Sequence, residues 1–193
     1  MSSVGRQSLS RILLVFLATA CIFFVLKQSR VAFSIMSTDP LSRLAVSVRK
    51  SASHTLTFSV TNNHDAPITI LKWETPLDPL ALKVGKVKLF APADSNDALD
   101  FPTIQVRRKM PPGQDQLVTI LPGDTKESSV ELDVPFFPVD QLKGDVKITC
   151  QGRWVSAWQK TADEISPKEL EELNAGDEAL SGEYEMVPVT VNF

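Results

Sequence analysis

From residue 44 to the last residue, apolar side chains recur at every second position in short runs, and proline, glycine and asparagine punctuate them. That period of two constrains the fold more than any other feature, because it belongs to a strand with one buried and one wet face. It is most explicit in residues 54–78, HTLTFSVTNNHDAPITILKWETPLD. Leu56, Phe58 and Val60 point one way, and Thr55, Thr57, Ser59 and Thr61 the other. Asn62-Asn63-His64-Asp65 supplies side chains that bond their own backbone and turn the chain. A second run, residues 68–73, follows Pro67, so the stretch predicts a β-hairpin with a four- or five-residue loop.

The same reading continues along the chain. A first strand begins at Leu44, with Val46 and Val48 on its apolar face. Residues 77–82 contain Pro79 and read as a corner, and residues 86–90 alternate again. Residues 91–100 are a loop of breakers and acids, and residues 101–110 are expected to be extended with Ile104 and Val106 inward. Strands are expected at 117–121, 130–134 and 146–150, the last leading to Trp154 and Trp158. The final run places Val187, Val189, Val191 and Phe193 on one face. Eight or nine strands with almost no helix predict a two-layer antiparallel sandwich. Thirteen prolines against eight glycines suit many strand-to-strand corners.

One helix is expected near residues 166–173, with Ser166 as N-cap, Pro167 at the first position and Glu169 completing a capping box. It lies in an acidic insertion, residues 161–182. From residue 161 to the last residue nine acids stand against Lys168, a net charge of −8. A docking face for a basic partner and a solvated loop kept soluble by its charge are the two readings, and the second is preferred.

The amino-terminal part differs in kind. Residues 12–26, ILLVFLATACIFFVL, carry no charge, with Arg6 and Arg11 before them and Lys27 and Arg30 after. Fifteen residues are short of a span, but snorkelling by Lys27 and Arg30 extends the segment to Phe33. The preferred expectation is an uncleaved signal anchor crossing a membrane once, with the charges on its two sides too balanced to orient it. A cleaved signal peptide, ending at Ala18-Thr19-Ala20, would make the protein secreted. A start at Met36 would leave a cytosolic domain, in keeping with one cysteine beyond the segment and no N-x-S/T sequon. The expected organisation is a tail over 1–11, a hydrophobic signal-anchor helix over 12–33, a linker over 34–42 and a sandwich over 43–193.

No reaction is legible. A net charge of −3 is too mild to imply a nucleic-acid partner, and no stretch looks like an electrostatic footprint for one. His54, His64, Asp65 and Cys150 lack ligand spacing, and turn and strand-end roles account for them better than a metal does. Cys150 alternates with Val146 and Ile148 and reads as a small buried hydrophobe. Arg107-Arg108-Lys109 can contact phosphate or a lipid headgroup, but an edge strand guarded by charge is the preferred account. Trp73, Phe101, Phe136, Phe137, Trp154 and Trp158 read as core, with the two later tryptophans on one face if their strand is continuous. No catalytic residue, cofactor, metal or small-molecule substrate is expected. The expected partners are a membrane through residues 12–33 and a protein at the sandwich loops, first of all the loop from Asn62 to Asp65.

Val60-Thr61-Asn62, Leu121-Pro122-Gly123-Asp124-Thr125 and Gly144-Asp145-Val146 resemble the immunoglobulin-like sandwich that precedes the catalytic domain of fungal deuterolysin-type metalloproteases. The resemblance covers roughly residues 44–158, and the chain is also similar to uncharacterised fungal proteins with a TPLDPL segment. It implies an immunoglobulin-like fold, so the expected class is all-β, an antiparallel sandwich of 7–9 strands, which the hydrophobic helix precedes and to which the capping signals add the short acidic one. It implies no protease: H-E-x-x-H is needed to hold zinc and activate water, and neither of the two histidines is followed by glutamate. The expected function is a non-enzymatic binding module, an inhibitor or chaperone-like role toward proteases being one version that the resemblance suggests. The alternatives are a cytosolic sandwich protein and an enzyme whose site is dispersed along the chain.

Overall fold

The alternating runs form nine strands in antiparallel pairing, in a computed structural model that describes residues 39–193. They are β1 (Leu44–Ala52), β2 (Thr55–Asn62), β3 (Ile68–Leu71), β4 (Val87–Phe90), β5 (Leu117–Ile120), β6 (Thr125–Glu131), β7 (Asp145–Trp158), β8 (Leu180–Glu185) and β9 (Val189–Asn192). The expected tail, the hydrophobic helix over 12–33 and most of the 34–42 linker lie outside the described residues. Residues 40–43 form a turn of 3-10 helix in which Pro40 and Leu41 are buried. No helix among the described residues is long and apolar enough to cross a membrane.

The smaller sheet has the order β1-β2-β6. The larger is built on β7, fourteen residues long. One edge of β7 carries β4 beside its first half and β3 beside its end, with β5 outside β3. The other edge carries β9 and then β8. Leu56, Phe58 and Val60 of β2 meet Ile68 and Ile70 of β3 and Val146, Ile148, Cys150 and Trp154 of β7 in the core between the sheets. Each large side chain buried there contributes roughly 1.5–3 kcal/mol.

The hairpin expected over residues 54–78 does not form. β2 pairs with β1 and β6, whereas β3 pairs with β5 and β7, so the chain changes sheets between Asn62 and Ile68. Alternation determines which face of a strand is apolar, not which strand lies beside it. The corner is locked by the buried Asn62 amide, which donates to the carbonyls of Ala66 and Ile120 at 2.9 Å each and accepts the His64 N–H at 2.8 Å. Gly123 closes the neighbouring turn at φ 77°, beside Pro122, with Asp124 N–H on the Leu121 carbonyl at 2.9 Å.

Residues 101–110 belong to no strand, and Ile104 is 49% exposed where an inward side chain was expected. Arg107 to Lys109 therefore guard no strand edge. They lie on a strap that joins β4 to β5 and has no ladder partner to set its alternation. The last apolar run is also interrupted: Val187, beside Pro188, is 79% exposed, while Val189, Val191 and Phe193 pack on the core.

Trp154 and Trp158 do not share a face. The pairing of β7 with β8 shifts register between Trp154 and Ala157, a bulge that reverses the alternation. Trp154 stays in the main core, its ring 4.7 Å from that of Tyr184. Trp158 joins a second cluster with Leu71, Trp73 and Leu117. The insertion supplies its other members, Ile165, Leu170 and Leu173, so it is a packed cover and not a free loop. Its helix α1 (Pro167–Glu172) has the expected capping box between Ser166 and Glu169.

Candidate interaction face

Between β3 and β4 the chain makes an excursion over residues 72–86, and the TPLDPL segment shapes it. The Thr75 hydroxyl donates to the Lys72 carbonyl at 2.7 Å and accepts the Leu77 N–H at 3.2 Å. Asp78, buried before Pro79, accepts the N–H groups of Glu74 and Leu80 at 3.0 and 2.9 Å. Its carboxylate also receives the Arg108 guanidinium, which lies 5.7 Å from the Trp73 ring. The Trp73 indole donates to Gln116 Oε1 at 3.0 Å. One excursion and one strap are thus tied by an ion pair between the buried Asp78 and the partly exposed Arg108.

Glu74 is the node of this region. Its φ is 62°, a left-handed conformation that a non-glycine residue keeps only when its surroundings impose it. Besides its N–H bond to Asp78, its carbonyl accepts the Tyr184 hydroxyl at 2.8 Å and its carboxylate pairs with Lys86 at 2.8 Å. Tyr184 passes so closely over β7 that a Cβ at Gly152 would stand 2.7 Å from its hydroxyl and 2.6 Å from the Glu74 carbonyl.

Three depressions surround this node. A groove of about 620 Å³ has Lys86 and Lys88 on one rim, Glu183 and Glu185 on the other, and Gln151 and Arg153 between. A cleft of about 350 Å³ shares Lys86 with it and is lined by Trp73, Val84, Ile104 and Val155. A third, of about 380 Å³, lies beyond Arg108 beside Arg107, Lys109 and Pro111, again against Trp73. The sequence displays none of this, because the rims of the groove come from strands nearly a hundred positions apart. The one legible signal was Asp78-Pro79, an acid before proline that marks a turn.

Burial pushes the Cys150 thiol up to about 11, against smaller opposite effects of Tyr184 and Lys86. Burial and the neighbouring Cys150 push the Tyr184 phenol above its ordinary range. The two lie 3.9 Å apart, and burial favours the neutral form of both. His54 and His64 flank the two ends of β2, roughly 25 Å apart at the rise of a strand, too far to share an ion. His64 Nδ1 accepts the Ala66 N–H at 3.0 Å and lies 3.0 Å from the Asp65 carboxylate. Among the described residues no group of three or more His, Cys, Asp or Glu can hold a metal ion. Phe101 packs on Phe137 at 4.9 Å, and Phe136 lies under Lys83.

Comparison with known proteins agrees with the two-sheet architecture. The family model of the immunoglobulin-like domain matches residues 43–193. The chain belongs to the immunoglobulin-like domain family. It is also 34% identical over 134 residues to an uncharacterized secreted protein of Arthroderma benhamiae, covering 67% of this chain and 63% of that one. The chain thus spans just under two thirds of that relative's length. In this immunoglobulin-like domain the loop from Asn62 to Asp65 is half structural: Asn62 is buried, while the Asp65 side chain is 96% exposed.

Proposed function

We propose that the chain is a non-enzymatic immunoglobulin-like binding module, exported from the cell or tethered to its membrane, whose partner is another protein. The observation that carries this is the groove with cations on one rim and acids on the other. A surface of both signs suits a polypeptide that presents both, whereas nucleic acid calls for a basic face alone. The sequence resemblance to the deuterolysin sandwich suggests an inhibitor or chaperone-like role toward proteases as one version of this module. Export is supported by the apolar stretch over 12–26 and by the description of the relative as secreted.

A photo-crosslinking amino acid at Gln151, in the groove, and another at Lys126, on the smaller sheet, test the partner surface in the native host. A discrete protein adduct from position 151 alone is expected, weakened by Lys88→Glu. The same adducts from both positions, or none from 151, overturn the proposal. The mass of the native amino-terminal peptide tests export, and a start at Met36 would exclude it.

A further inference from the structure

The connection from β4 to β5 is long, and residues 91–113 contain neither helix nor strand. Compact domains seldom carry connections of this length without a use for them. The backbone is held at Leu99, whose N–H meets the Leu89 carbonyl, and at Ile104, on the Lys83 carbonyl. The next main-chain bond joins Gln116 to Gly113, so residues 105–112 make none among the described residues. Arg107-Arg108-Lys109 stands in the middle of that unbonded stretch. The sequence contains one other pair of adjacent basic residues, Arg49-Lys50. That pair lies in β1, in ladder register with Thr57 and Leu56 of β2. The two sites match in chemistry and differ in the state of their backbone.

An endoprotease takes its substrate as an extended strand whose main chain pairs with its own. A cut site therefore needs free backbone groups and several residues that can leave the surface without opening the core. Residues 105–111 meet both needs, with the buried Pro112 left in place behind them. Arg107, Lys109 and Met110 are exposed, and lifting the strap breaks one ion pair, Arg108 with Asp78.

We propose that Arg107-Arg108-Lys109 is a processing site for a serine endoprotease specific for paired basic residues, which converts the domain to a two-chain form. Water adds across the Arg108–Lys109 amide, leaving a carboxylate on Arg108 and a free amine on Lys109. Arg107 and Arg108 enter the enzyme's acidic subsites as charge-assisted pairs. The two pieces stay together, because β2 with β6, β3 with β5 and β7, and β4 with β7 all pair across the cut. The new ends can withdraw from Trp73, which lines the clefts on either side of the strap, and so join them over an open indole face. This inference does not depend on the partner assigned to the groove.

The test is incubation of the native full chain with a calcium-dependent, subtilisin-type protease specific for paired basic residues, read by intact mass and by gel filtration. One cut, after Arg108, is expected, with two fragments under denaturing conditions and an unchanged elution volume. Arg107→Gln leaves the Asp78–Arg108 pair intact and should slow the cut at least about tenfold, the loss of one desolvated charge pair in the subsite. Arg49→Gln should leave the rate unchanged, and equal melting temperatures separate either result from misfolding. Resistance of the native chain under conditions that cut the urea-unfolded one overturns the proposal. So does a first cut at Arg49-Lys50, or separation of the fragments.

Discussion

Asn62 and Asp65 sit three positions apart in one polar loop and have opposite roles. The Asn62 amide satisfies two carbonyls and one N–H at the corner between the sheets. Removing it strands the buried Ile120 carbonyl and two partly buried groups, and a buried unsatisfied group costs about 1–3 kcal/mol. Asn62→Ala is therefore expected to lower unfolding free energy by about 2–4 kcal/mol in urea titration. Asp65→Ala should change it by less than about 0.5 kcal/mol. Equal effects would mean that the corner is not held by this amide. The tetrapeptide was recognisable as a turn from residue type alone, but which asparagine faces inward is set by the approach of β5, which lies far along the chain.

At the scale of elements, the insertion over 161–182 is the clearest case of an outcome that composition concealed. Its acids suggested a solvated loop, yet Ile165, Leu170 and Leu173 cover Trp158. Lys160 holds the cover down, its ammonium 2.6 Å from Glu169 and 2.8 Å from Glu178. Lys160, and then the Ser166 N–H, hold the Glu169 carboxyl down from 4.5 to about 2. A carboxylate lowered on folding contributes stability that is complete above pH 4.5 and lost as the pH falls through about 2. Tryptophan emission is expected to shift to the red across that interval as the cover loosens from Trp158. In Glu169→Gln the red-shifted component should already be present at neutral pH. An unchanged spectrum in both would show that the apolar contacts hold the cover by themselves.

For the whole molecule, the alkaline limit follows from two groups buried beneath the groove. Below pH 9 the folded and unfolded chains both keep the Cys150 proton, and stability is complete. Between its ordinary 9.0 and about 11 the unfolded chain ionises while the folded chain does not, so stability falls as the pH rises. The loss reaches roughly 2 kcal/mol near pH 11, and Tyr184, also raised, extends it in the same direction. Denaturation midpoints at pH 8, 9.5 and 10.5 should fall in that order, and Cys150→Val should flatten the first interval. A midpoint unaffected by Cys150→Val would place the alkaline limit elsewhere.

What the sequence determined by itself was local chemistry of short range. Alternation identified most strands and their inward faces, the Pro122-Gly123 turn was evident from φ preferences, and the Ser166–Glu169 capping box gave α1. Each depends on residues within a few positions of one another. The tertiary structure alone decided whatever depends on neighbours distant in sequence. It separated β2 from β3, since pairing is chosen by the strands that remain to be paired. It turned Trp158 to the outer face through a bulge that leaves no mark on the pattern. It brought Lys86 and Lys88 opposite Glu183 and Glu185 across β7, making the groove. It also left residues 105–112 without main-chain partners among the described residues while locking Arg49-Lys50 in a ladder. Residue type reports which groups a chain carries, and only the packed chain decides which of them are left unpaired.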